Sequence, residues 1–87
     1  MPDKTILIMK IKPRDIGQIA KAMDAVRTIK SGKVMDVKKE PIGFGIEVIK
    51  AGITVDSKDE AAVERVTNEI LALPEIEDAE VEGMTLL

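Results

Sequence analysis

The chain predicts an α+β fold with the element order βαββαβ, and three observations carry that prediction. Apolar residues alternate with a two-residue period in four stretches, at 5–11, 33–39, 46–55 and 76–87. Between the first and second, and between the third and fourth, the period lengthens to that of a helix. The chain has 87 residues, which fits a single domain, 1–87, with one modest core and no linker.

Each element has its own justification. In "TILIMKI", Leu7, Met9 and Ile11 point one way and Ile6 and Ile8 the other. Apolar side chains on both faces predict a central strand. "PRD" breaks the pattern. From Ile16 the residues Ile16, Ile19, Ala20, Met23, Val26 and then Ile29 or Lys30 follow helical spacing. Asp15 is the expected N-cap with Gln18 at the capping-box position, and Gly32 the expected left-handed residue after the helix. "KVMDVKK" reads as an edge strand, Met35 and Val37 inward and Val34, Asp36 and Lys38 outward, with lysines at both ends.

"EPIGFG" reads as a connection. The next strand, 46–55, sets Ile49, Ala51, Ile53 and Val55 on one face, and Gly52 on the other marks a bulge or a close backbone approach. "SKDE" reads as a capping box, Ser57 as N-cap and Glu60 at its third position. Val63, Val66, Ile70 and Leu73 form the second helix's stripe, and Pro74 ends it. A last strand runs through Ala79 and Val81 into a short apolar tail. A four-stranded antiparallel sheet with both helices on one face buries these stripes. This is the ferredoxin-like split βαβ arrangement.

Composition removes whole classes of chemistry. There is no cysteine and no histidine, so thiol catalysis, thiolate or imidazole metal sites and the commonest general base are absent. The cysteine-free sequence suits a reducing cytoplasm. No apolar run reaches the roughly 18–20 residues of a membrane span. The formal net charge is −3 and only 1% of the residues are aromatic, which argues against direct nucleic-acid binding. After Arg65 no basic residue follows, an asymmetry suited to a basic partner or simply to a solvated surface. The acids of "EIEDAEVE" lack a glycine-punctuated loop to wrap a hard cation. "GFG" lacks the Lys-Ser/Thr pair of a phosphate cradle. No enzyme, metal or cofactor is expected.

The one aromatic residue, Phe44, lies between Gly43 and Gly45, with Pro41 just upstream. Its ring either folds back to plug the edge of the aliphatic core, or protrudes as an interface anchor on a backbone that the glycines let turn sharply.

"EPIGFGIEVIKAGITV" resembles the signature of the guanine-nucleotide-exchange domain of translation elongation factor 1-beta, in its short archaeal form. "TILIMKIKPRD" and "DEAAVERVTNEILALPEIEDAEVEGMTLL" resemble that family in register, so the likeness spans the chain. The resemblance implies a non-catalytic exchange factor acting on the GTPase elongation factor 1-alpha. It also implies that Phe44 inserts into the GTPase. Pro41, Ile42, Gly43 and Gly45 would shape its loop, and Met84, Leu86 and Leu87 would make a second apolar contact near the magnesium and phosphate region. Eukaryotic relatives carry a lysine next to last, and many archaeal members an arginine near the end. Here Leu86 stands in that place, so exchange is expected to work by packing rather than by displacing magnesium with a cation. The alternative is an ACT-like regulatory amino-acid-binding module, which "IKPRDIGQIAKAMDAV" also resembles. It would use the junction at Asp15–Gln18.

Overall fold

The computed structural model describes residues 4–86. In chain order the elements are β1 (Lys4–Pro13), a 3₁₀ turn (Ile16–Gln18), α1 (Ile19–Val26), β2 (Lys33–Gly43), β3 (Ile46–Asp56), α2 (Ala62–Leu71) and β4 (Ile76–Leu86). The strands form one antiparallel sheet in the order β2-β3-β1-β4. This is the expected ferredoxin-like α+β arrangement, with β1 central and β2 at an edge.

Period-two alternation decides which face is buried. Leu7, Met9 and Ile11 of β1 and Ile49, Ala51 and Ile53 of β3 turn to one side. There they meet Ala22 and Val26 of α1 and Ala62, Val66 and Ile70 of α2 in a single aliphatic core. Both helices therefore lie on one face. The other face carries Ile6 and Ile8, followed along β1 by Lys10 and Lys12 with their ladder partners Lys50, Glu80 and Asp78, and no described element covers it.

Several local expectations are corrected. Ile16 is exposed and belongs to the 3₁₀ turn, which Asp15 caps by accepting from the Gly17 amide. The α-helix starts only at Ile19, and this shifts its phase: Ala22 is buried, whereas Ala20 is exposed. Ile29 rather than Lys30 continues the buried stripe. Gly32 is not left-handed; among the described residues only Gly43, Phe44 and Gly45 have positive φ. It is small because a Cβ there would lie 2.7 Å from Ile53 Cγ2. A bulge between Val34 and Asp36 turns Met35 out to solvent and leaves Val34 and Val37 facing the core. The bulge stands opposite Gly52 and Ile53, so the irregularity expected at Gly52 lies in the neighbouring strand.

The Ser57–Glu60 capping box does not form. Asp59 instead accepts from the Ala61 amide and pairs with Arg65. "EPIGFG" is the end of β2 and its turn, and the expected tail is the end of β4, paired to β1 at Met84 and Leu86.

Candidate partner-binding site

The β2–β3 hairpin ends in a two-residue turn. Gly43 pairs with Ile46, and Phe44 and Gly45 bridge them. The φ angles are 109° at Gly43, 56° at Phe44 and 74° at Gly45. Left-handed central residues belong to the mirror-image turns that match strand twist in short hairpins. An added Cβ at Gly43 or Gly45 would meet nothing within 4 Å. Conformation, not crowding, therefore calls for glycine at both places. For Phe44 the same backbone is a cost, since a bulky residue at positive φ is an outlier.

Nothing among the described residues repays that cost. Phe44 is the most exposed large hydrophobic residue, at 103% of its reference area. The ring does not fold back onto the core, so the plug alternative is excluded. Ile42 is the extra residue of a register shift between Pro41 and Gly43 and is itself about half exposed. The expected loop residues 41–45 therefore form one continuous projection beyond the sheet.

Met84 and Leu86 are also exposed, but they sit elsewhere. They pair with Leu7 and Thr5 of β1 and so share the helix-bearing face at the far end of the outermost strand. The registers Leu86–Thr5 and Thr5–Val55, followed back along β3 to Ile46, separate them from the hairpin turn by about 30 Å. The two groups occupy diagonally opposite corners of a molecule 42 Å long. Leu87 lies outside the described residues.

The far corner holds residues that sequence reasoning missed. Met84 and Leu86 border a hollow of about 330 Å³ with Thr5, Val55 and Val63, rimmed by Asp56, Ser57, Asp59 and Glu60. Its floor is aliphatic, and its charged lining residues are all carboxylates. The Arg65 guanidinium holds the Asp59 carboxyl below its ordinary range, helped by the Ala61 amide. Three chain-distant segments meet there. The only sequence signal was the alternation that pairs the two ends of the chain.

Among the described residues no group of three acidic side chains is placed to hold a metal ion. No described helix is long and apolar enough to cross a membrane.

Residues 6–87 match the EF-1 guanine nucleotide exchange domain family. The chain belongs to this family. Elongation factor 1-beta of Methanospirillum hungatei is 31% identical, over 93% of this chain and 94% of the relative. That of Methanocorpusculum labreanum is 29% identical, over 97% and 96%. The C-terminal domain of the MgtC protein from Mycobacterium tuberculosis shares the fold, with a TM-score of 0.52 at 10% identity, over 98% of this chain and 87% of that one.

Membership in the exchange-domain family places this protein in nucleotide exchange during translation. The match runs through Asp15–Gln18, the junction the amino-acid-binding alternative would use.

Proposed function

We propose that this protein is a non-catalytic exchange factor, acting in the cytoplasm, that promotes GDP release and GTP reloading on the GTPase elongation factor 1-alpha. The observation that supports the reading is Phe44: a fully exposed ring on a left-handed backbone that no contact among the described residues repays. Exposing an aromatic on a strained turn makes physical sense when a partner's pocket receives it, as a buried interface anchor.

Pro41, Ile42, Gly43 and Gly45 hold the ring in its presented position, which lowers the ordering cost of binding. Met84, Leu86 and Leu87 make a second apolar contact. One stiff sheet fixes the distance between the two contacts, so it selects a particular relative placement of the GTPase elements they touch. An exchange factor works by binding the nucleotide-free state better than the loaded one. A differential of about 4 kcal/mol speeds release roughly 10³-fold when it is expressed in the off-rate. The second contact works by packing, because the charged residues lining its hollow are carboxylates and the neighbouring Arg65 guanidinium is committed to Asp59.

The test is release of a fluorescent GDP from elongation factor 1-alpha. The wild-type chain accelerates it, Phe44→Ala loses most of the acceleration, and Leu86→Ala loses a smaller part. A folded wild-type chain that leaves the release rate unchanged sinks the proposal.

A further inference from the structure

β4 is the outermost strand on one side of the sheet. From Glu77 to Leu86 its backbone pairs with β1, and no described backbone group outside the sheet bonds to it. An edge of this kind presents a row of unpaired amides and carbonyls. The opposite edge strand, β2, carries the usual guards: Lys33, Lys38, Lys39, Pro41 and the bulge before Asp36. β4 has no proline, lysine or arginine. Its ladder with β1 is regular from Asp78 to Val81, between register shifts at Glu77 and Glu82.

A shelf lies over that edge. α2 packs on β4. On one flank of α2, Glu69 reaches the 30–31 connection that follows α1, so that flank faces α1. Val63, Thr67 and Leu71 recur at every fourth position and form the other flank, which overlooks the free side of β4. Val63 lines the hollow with Met84 and Leu86, and Leu71 is exposed. Beneath this flank the helix-bearing side of β4 offers Ala79 and the half-buried Val81. The open side offers the exposed carboxylates of Asp78 and Glu80, opposite Lys12 and Lys10. The free edge is therefore apolar on the side beneath a helix and acidic on the other, alternating residue by residue.

We propose that β4 takes up an extended segment of a partner protein as a fifth strand, and that this segment alternates basic and apolar residues. Main-chain hydrogen bonds to the edge attach it, and alternate side chains select it, as in strand addition generally. The guest's apolar side chains enter between Val81 and the flank of Val63, Thr67 and Leu71. Its lysines or arginines lie on the open side beside Asp78 and Glu80, continuing the alternation of sign that Lys12 and Lys10 begin. An acidic guest would set like charges side by side, which is destabilising. Phe44 stands at the β2–β3 turn, away from this edge, so the proposal stands apart from the exchange reading.

The test is a titration of the isotope-labelled whole chain with a short peptide of alternating lysine and valine, followed by amide NMR shifts. The expected result is saturable shifts concentrated at 77–83 and along 63–71. A strand pairs through every second residue, so N-methylation of the peptide at its odd positions or at its even positions should give opposite outcomes. One set should abolish binding and the other leave it within about threefold. Asp78→Asn combined with Glu80→Gln should weaken binding about tenfold or more, with a melting temperature within a few degrees of wild type. A peptide of the same composition with its lysines and valines in two blocks should bind about tenfold more weakly or worse. The proposal is overturned if no saturable shifts appear, if both methylated sets behave alike, or if the block peptide or a glutamate–valine peptide binds as well. Shifts along β4 that follow the chain's own concentration and not the peptide's would assign the edge to a second copy, and also overturn it.

Discussion

The two ends of β2 treat their glycines in opposite ways. At the start, the 30–32 connection is tied down. Glu69 of α2 accepts from the amides of Lys30 and Ser31 and from the Ser31 hydroxyl, and Gly32 is packed against Ile53 and Val55. At the finish, the Phe44 ring is fully exposed, a Cβ at Gly43 or Gly45 would meet nothing, and the three hold successive positive φ angles. One glycine turn is shaped by what lies against it. The other is shaped by what it must present. The first contributes to stability, and the second subtracts from it.

The largest effect should fall at the presenting end and leave the fold alone. Phe44→Ala should weaken binding to elongation factor 1-alpha by about 3 kcal/mol, in the range of interface hot spots, with a melting temperature within a few degrees of wild type. Isothermal titration beside thermal denaturation checks both halves. A variant that binds normally, or one that unfolds, breaks the contrast.

At the tied end the effects should reverse. Gly32→Ala drives a Cβ to 2.7 Å from Ile53 Cγ2 and 3.1 Å from the Thr54 carbonyl oxygen. Overpacking of this kind costs about 2 kcal/mol, roughly a 10 °C loss of melting temperature in a domain this small. Exchange activity per folded molecule should be unchanged, and a preserved melting temperature would show that the packing there is looser than the distances imply.

A smaller effect sharpens the contrast at the turn itself. Asparagine tolerates left-handed backbone far better than phenylalanine. Phe44→Asn should therefore stabilise the domain by about 1 kcal/mol, visible as a melting temperature several degrees higher, while abolishing exchange. A neutral or destabilising outcome would mean that the ring makes stabilising contacts in solution.

These differences mark where the sequence could be read and where it could not. Alternation and helical spacing found the strands, the helices and the core face, because burial imposes those periods on every residue. They misplaced Val34 and Met35 because the bulge before Asp36 reverses the faces of the residues ahead of it, and Ala20 because the 3₁₀ turn delays the helix to Ile19. The lone ring between glycines was legible as an oddity, but its exposure was not, since sequence carries no record of what a turn fails to touch. The hollow beside Leu86 was hidden for another reason. Thr5, Val63 and Met84 meet only through the ladders around β1, and local patterning does not report such pairings.

The smallest effect concerns the clamp at the tied end. The Ser31 hydroxyl, with the Lys30 and Ser31 amides, holds the Glu69 carboxyl below its ordinary value of 4.5 despite some desolvation. A carboxylate with a depressed folded-state pKa binds fewer protons folded than unfolded. Its contribution is therefore fully present above the ordinary value and is lost as pH falls through the folded one. Stability should thus be insensitive to Glu69 near neutral pH and should decline only on the acid side of 4.5. Glu69→Gln keeps one acceptor but loses the charge-assisted bonds. It should cost about 1 kcal/mol at neutral pH, and the gap to wild type should narrow as both are taken below pH 4. Urea midpoints along that titration provide the check. Curves that stay parallel to the acid limit would mean the carboxylate is not what ties this loop, and the two ends of β2 would then differ in packing alone.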